Sequence, residues 1–179
     1  MPASIDIHRT KESNLKTKDK AAESTSNASH DKISRADLIK ALNEDLSREY
    51  QAIIAYTVYS QVLKGAEYMN IASELELHAA QELSHAIAIA QQIDYLGGMP
   101  TVTAKPVRTS ESAKEMLQFD LDNETETIRN YRERVQQCED LAEYAMGEKI
   151  REILIDEQDH QIALATALGK NVPRGAGGA

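Results

Sequence analysis

Cysteine is nearly absent from this 179-residue sequence: Cys138 stands alone, which excludes an internal disulfide framework and a cysteine-only zinc site. No apolar run approaches the ~18 residues a membrane span needs, so no membrane association is expected. The opening MPASIDIHRTKESNLK lacks the apolar core of a secretory signal, so a soluble, cytoplasmic protein is the expectation. Positive charge is outnumbered: 20 Lys and Arg face 29 Asp and Glu, for a net charge of −9. That balance argues against a general binder of nucleic acid or anionic membranes. Proline is confined to positions 2, 100, 106 and 173. Two long stretches, 3–99 and 107–172, are therefore free of the strongest helix breaker. They are rich in Ala, Glu, Leu, Gln, Ile and Lys, which predicts an all-α protein.

Residues 1–33 have no apolar periodicity and read as a flexible polar arm. Six basic residues against five acidic ones leave the arm at +1 and the remainder at −10. The last residues, 170–179, read as a second flexible tail. Between them, 34–169, punctuation predicts four helices. Ser34 with Asp37 forms a capping box opening a helix over 35–64. Gly65 breaks it, and a second helix spans 67–96 and ends at Gly97-Gly98. Thr109 or Ser110 caps a third over 110–138, and a turn near Glu139-Asp140 leads to a fourth over 141–169. The 13-residue connection 97–109 can reach ~43 Å when extended, close to the ~45 Å length of each helix. The expected architecture is a four-helix bundle with one long crossover between helices 2 and 3.

The seams of that bundle should be apolar and are not. Along the three-and-four spacing of core positions, each helix carries a glutamate: Glu49, Glu82, Glu124 and Glu157. In the second and fourth helices a histidine follows three residues later on the same face, His85 and His160. All six lie within about a turn of the helix midpoints, so packing brings them to one level. Buried carboxylates without partners cost several kcal/mol each or more. Two divalent cations, +4 against −4, would supply the compensation. An internal repeat reinforces the pattern: Glu49 to Glu82 and Glu124 to Glu157 are both 33 residues, and the two hairpins are offset by 75. Tyr56 and Tyr131 each follow the first glutamate of a hairpin by seven residues. Tyr56 either packs in the core or acts at the centre as a hydrogen-bond or electron donor. His78 reads as a hydrogen-bonded core histidine, with an accessory metal ligand as the alternative. Cys138 reads as a small core residue.

The segments NEDLSREYQAIIAY, AAQELSHA, DLDNETETIRNY and IDEQDHQ resemble the ferritin-like superfamily, in particular bacterioferritin and Dps-like ferritins. The resemblance implies a di-iron ferroxidase that oxidises Fe(II) with O2 or H2O2 and stores or detoxifies iron in a homo-oligomeric shell. It implies two iron ions per subunit: Glu49 and His85 on one, Glu124 and His160 on the other, with Glu82 and Glu157 bridging. Manganese is the alternative metal, and dimer, twelve-subunit and 24-subunit assemblies all stay open. Haem is not expected, because the methionine that binds it in bacterioferritin follows the helix-2 glutamate, and here that position is Leu83. Alternative functions are a Dps-like protector whose lysine-containing arm binds DNA, and a non-storage peroxidase or oxidase of the rubrerythrin type.

Overall fold

The computed structural model describes residues 33–173. The polar arm and most of the C-terminal tail expected from the sequence lie outside the described residues. Four helices make the fold: α1 Arg35–Val62, α2 Met69–Tyr95, α3 Ala113–Asp140 and α4 Tyr144–Ala167. The Ser34 hydroxyl accepts from the Asp37 amide while the Asp37 carboxylate accepts from the Ser34 amide, so the capping box opens α1 as expected. Gly65, at φ +125°, breaks the chain, and a 3-10 turn, Ala66–Tyr68, precedes α2. At the end of α2, Gly97 takes φ +85°, and the Gly98 amide returns to the Ile93 carbonyl at 2.9 Å. That bond satisfies one of the carbonyls a helix end leaves open.

Helices α3 and α4 start later than the sequence suggests. Ser112, not Thr109 or Ser110, caps α3 through the Glu115 amide. Ser110 is instead occupied with the Glu115 side chain and the Ser112 amide. The turn before α4 lies at 141–143, where Ala142 adopts φ +59°.

The crossover is strung along α1. Asn43 Oδ1 accepts from the Thr101 amide, the Lys105 amide donates to the Ser47 carbonyl, and Gln51 Nε2 donates to the Pro106 carbonyl. Tyr59 Oη then donates to the Arg108 carbonyl. Positions 43, 47, 51 and 59 climb one face of α1, so the connection is carried from the end of α2 to the start of α3. The hairpins α1–α2 and α3–α4 are antiparallel, and α2 and α3 run parallel.

Two apolar clusters fill the bundle. One holds Leu38, Leu42, Leu46, Ile89, Ile93, Tyr131, Cys138, Met146 and Ile150. The other holds Tyr56, Tyr59, Ile71, Leu75, Met116, Leu117, Leu121 and Leu164. A polar layer separates them. Burial follows the three-and-four spacing, with drift toward the ends: in α4 the strict step from His160 through Leu164 leads to Ala167, which is exposed, and Ala165 is buried instead. A 3.6-residue turn gradually leaves a strict 3.5-residue repeat. Among the described residues no helix is long and apolar enough to cross a membrane.

Candidate metal centre

Glu49 on α1, Glu82 and His85 on α2, Glu124 on α3, and Glu157 and His160 on α4 all reach the polar layer. Each is at most 4% exposed. They form two overlapping groups: Glu49, Glu82, His85 and Glu157, and Glu82, Glu124, Glu157 and His160. Within each group, one ligand atom per residue lies within 4.8 Å of all the others. Glu82 and Glu157 are common to both. The structure therefore brings together all six residues expected from the sequence.

The atoms converge closely, and few of them satisfy one another: His85 Nδ1 meets Glu82 Oε2 at 3.2 Å. His160 Nδ1 lies 3.0 Å from Glu82 Oε1, and His85 Nδ1 lies 3.1 Å from Glu157 Oε1. Yet Glu49 Oε2, Glu82 Oε1, both Glu157 oxygens and His160 Nδ1 are buried and lack an aligned hydrogen-bond partner. Buried polar atoms are ordinarily paired. Lone pairs aimed at common points, rather than donors aimed at acceptors, suit ligands arranged about cations. The donor set is carboxylate and imidazole with no thiolate, which suits first-row divalent metals such as iron, manganese or zinc.

Electrostatics carries the same imprint. Burial, then the charge of Glu49, pushes Glu82 well above the usual carboxylate range. Burial, then the charge of Glu157, does the same to Glu124. Burial with the charges of Glu82 and Glu49 raises Glu157 to about 8. Burial disfavours the His85 imidazolium, but its hydrogen bonds to Glu157, Glu49 and Glu82 outweigh that and raise its pKa. Burial works against the Glu49 carboxylate too, and contacts with His85 and Glu82 overcome it. His160 is lowered, chiefly by burial. Without cations the cluster shares protons among carboxylates that cannot all ionise.

Each tyrosine of the repeat supports the opposite hairpin. Tyr56 Oη donates to Glu124 Oε1, and Tyr131 Oη donates to Glu49 Oε1. Both phenols are fully buried. Behind the histidines, His85 Nε2 meets Asp156 Oδ2 at 3.1 Å and His160 Nε2 meets Gln81 Oε1 at 3.0 Å. With a cation among the carboxylates, Nε2 would keep the proton shared with Asp156 or Gln81 and Nδ1 would be free to ligate; without one, His85 Nδ1 shares a proton with the carboxylates instead. Neither Asp156 nor Gln81 was expected from the sequence, though each directly precedes a seam glutamate. Two further acids are buried nearby. Asp45 is held at 2.7 Å by Arg134 Nε, while Asp120 Oδ2 has no hydrogen-bond partner.

His78 is buried but not hydrogen-bonded at Nδ1, contrary to expectation. Ring contacts hold it instead: it stacks on His160 at 4.0 Å between centroids and meets Tyr56 edge-on at 5.5 Å. Burial, then His160, lowers its pKa to about 3, so it is neutral. Cys138 is fully buried, and burial pushes its thiol up to about 11.

Two openings lie against the centre. Arg48, Gln51, Asn123 and Thr127 frame a narrow cleft between α1 and α3 that ends on the glutamates. A wider, more open groove between α2 and α4 has His78, Gln81 and His160 on its walls.

The Ferritin-like domain family matches residues 39–172. A bacterioferritin of Brucella melitensis biotype 1 is 29% identical over 132 residues, covering 73% of this chain and 82% of that protein. A bacterial ferritin of Synechocystis sp. is 30% identical over 134 residues, covering 74% and 86%. The crystal structure of a ferritin-like, diiron-carboxylate protein from Bacillus anthracis superposes with a TM-score of 0.72 at 33% identity, over 76% of this chain and 99% of that one. Four helices joined by one long crossover, six buried ligand-type residues at one level and these matches agree: the chain belongs to the ferritin-like family.

Proposed function

We propose that the chain is a bacterioferritin-type ferroxidase, which binds two Fe(II) as substrate in the polar layer, oxidises them and serves iron storage or detoxification. The observation that carries this reading is the pair of overlapping four-residue groups sharing Glu82 and Glu157. Two ions bridged by shared carboxylates can give up one electron each. With two protons taken up, those two electrons convert O2 to H2O2, or H2O2 to two waters. Glu49 and His85 hold one ion, Glu124 and His160 the other, and Glu82 and Glu157 span both.

The chain's own groups manage charge and protons. Four glutamates offset the +4 of two Fe(II), and the rise to +6 on oxidation leaves an excess that favours release of product or uptake of hydroxide. Glu157 and its neighbours carry protons before binding and shed them as cations arrive. Tyr56 and Tyr131 orient the terminal glutamates by each donating to one carboxylate oxygen, which leaves the other available to a cation. The apolar clusters on both sides keep the layer from flooding. A homo-oligomeric shell, in keeping with the bacterioferritin names of its relatives, would collect the ferric product.

The test is anaerobic loading of the full chain with Fe(II), followed by O2 or H2O2, with ferric absorbance, iron content and assembly mass measured. The expected result is two Fe(II) oxidised per chain in a fast phase. Glu82→Ala removes a shared carboxylate and should abolish that phase. A wild-type rate in this variant would overturn the assignment.

A further inference from the structure

The repeat that relates the two hairpins fails at one informative place. Gln81 and Asp156 occupy equivalent positions, 75 residues apart, each just before a shared glutamate. Each crosses to the opposite hairpin and accepts from the Nε2 of the other hairpin's histidine, Asp156 from His85 at 3.1 Å and Gln81 from His160 at 3.0 Å. Both fix the same tautomer and aim Nδ1 inward. They differ in charge. His85 is backed by a carboxylate, His160 by a neutral amide.

We propose that the two halves of the centre are unequal. The half built on His85 takes a divalent cation first and retains it, and the half built on His160 fills second and exchanges its cation. This inference rests on the di-metal reading above. A carboxylate behind a ligating imidazole increases its electron donation and adds negative charge to that half. The loss of such a partner typically lowers metal affinity by about 10–100-fold. Asp156 is 40% exposed, and solvent screens its charge, so an effect of about tenfold is expected.

A second observation points the same way. The open α2–α4 groove is walled by His160 and Gln81, with Glu74 and Asp159 beside them, while His85 and Asp156 are not part of its lining. His78, buried in that wall with Nδ1 unpartnered, stacks directly on His160. The wider groove thus lies on the outer side of His160, the half with the weaker support, while both imidazoles stay buried at 1% and 4% exposed. One position that holds its ion and one that trades it would let the centre turn over iron without being emptied.

The test is calorimetric titration of the metal-free full chain with Co(II) under anaerobic conditions, followed also by the visible absorption of bound Co(II). Even a symmetric centre fills in two steps, because the first cation repels the second. The variants therefore decide the matter. The isosteric Gln81→Glu should tighten the second step about tenfold and leave the first unchanged. Asp156→Asn should weaken the first step by a similar factor. His160→Ala should delete the second step alone, and with it the fast phase of Co(II) withdrawal by a chelator. If His160→Ala deletes the first step, or neither Gln81→Glu nor Asp156→Asn moves either step, the inequality is overturned while the di-metal reading stands. If Co(II) does not bind at all, the di-metal reading falls, and the inequality with it.

Discussion

Asp45 and Arg134 form an ion pair in which both side chains are buried, at 2.7 Å. Burial raises Asp45 to about 6 even though Arg134 opposes the shift, so the carboxylate is mostly ionised near neutral pH. Removing one member of such a pair strands the other. Arg134→Met is therefore expected to cost about 3 kcal/mol in urea denaturation at pH 7.5. Asp45→Leu combined with Arg134→Met should recover most of that loss, because two apolar residues need no partner. The tyrosines allow a second test at this scale. Tyr56→Phe and Tyr131→Phe each remove the donor to a terminal glutamate, one on each side of the centre. If both tyrosines act by orienting carboxylates, stopped-flow Fe(II) oxidation should slow by similar factors in the two variants. A fall confined to Tyr56→Phe would make Tyr56 an electron donor instead.

The helices are held by ends as well as faces. Ser34→Ala removes the hydroxyl half of the capping box on α1 and is expected to lower stability by about 1 kcal/mol, read as a shift in urea midpoint without change in slope. Gly97 and Gly98 separate two kinds of constraint at the end of α2. Gly97 is at φ +85°, but a Cβ there would meet nothing within 4 Å, so Gly97→Ala should cost only backbone strain of about 1 kcal/mol. A Cβ on Gly98 would come within 2.6 Å of Ile39 Cγ2 and 3.1 Å of Ile93 Cγ2. Gly98→Ala must therefore displace Ile39 or the turn that carries residue 98, with an expected cost of about 1–3 kcal/mol. Thermal melts that rank Gly97→Ala as the more damaging change would contradict this packing argument.

For the whole molecule, the polar layer makes stability depend on pH and on metal together. Burial raises Glu157 to about 8, above its unfolded value of 4.5, and Glu82 and Glu124 shift in the same direction. A carboxyl that holds its proton more tightly when folded stabilises the fold fully below the unfolded pKa and loses that contribution as pH climbs through the folded one. Metal-free protein should therefore melt lower at pH 8 than at pH 5. Co(II) binds the deprotonated ligands of the folded state alone and should raise stability by ~2.7 kcal/mol per independent site at one hundred times Kd, most effectively at the alkaline end. Replacing both Glu82 and Glu157 with Gln should flatten the metal-free pH profile and remove the gain from Co(II). Melting temperatures of the two proteins at pH 5 and 8, with chelator and with Co(II), provide the comparison. A wild-type protein whose melting point rises with pH in chelator would show that the carboxylates are not held as described.

Much of this was legible in the sequence because the signals are periodic. Glu49, Glu82, Glu124 and Glu157 interrupt apolar seams at positions where a charge is costly, and the 33-residue spacing within each hairpin repeats. Proline-free stretches and the Ser34 and Gly97 signals framed the helices, since capping and φ > 0 are local matters. The supporting residues were not legible. Asp156 and Gln81 sit one position off the seam, where polar side chains are ordinary, and nothing local says that each reaches a histidine on another helix. His78 reads in the sequence as any hydrogen-bonded core histidine, and its stacking on His160 depends on how α2 packs against α4. The choice of Ser112 over Ser110 as the α3 cap depended on which serine the Glu115 side chain occupied. Four amphipathic helices and a charged level in their common core follow from the order of residues alone, because 3.6-residue periodicity and burial cost act along the chain. Which oxygen faces which nitrogen, and which histidine has a carboxylate behind it, follow from helix packing, because those distances depend on the rotation and spacing of helices that are far apart in sequence.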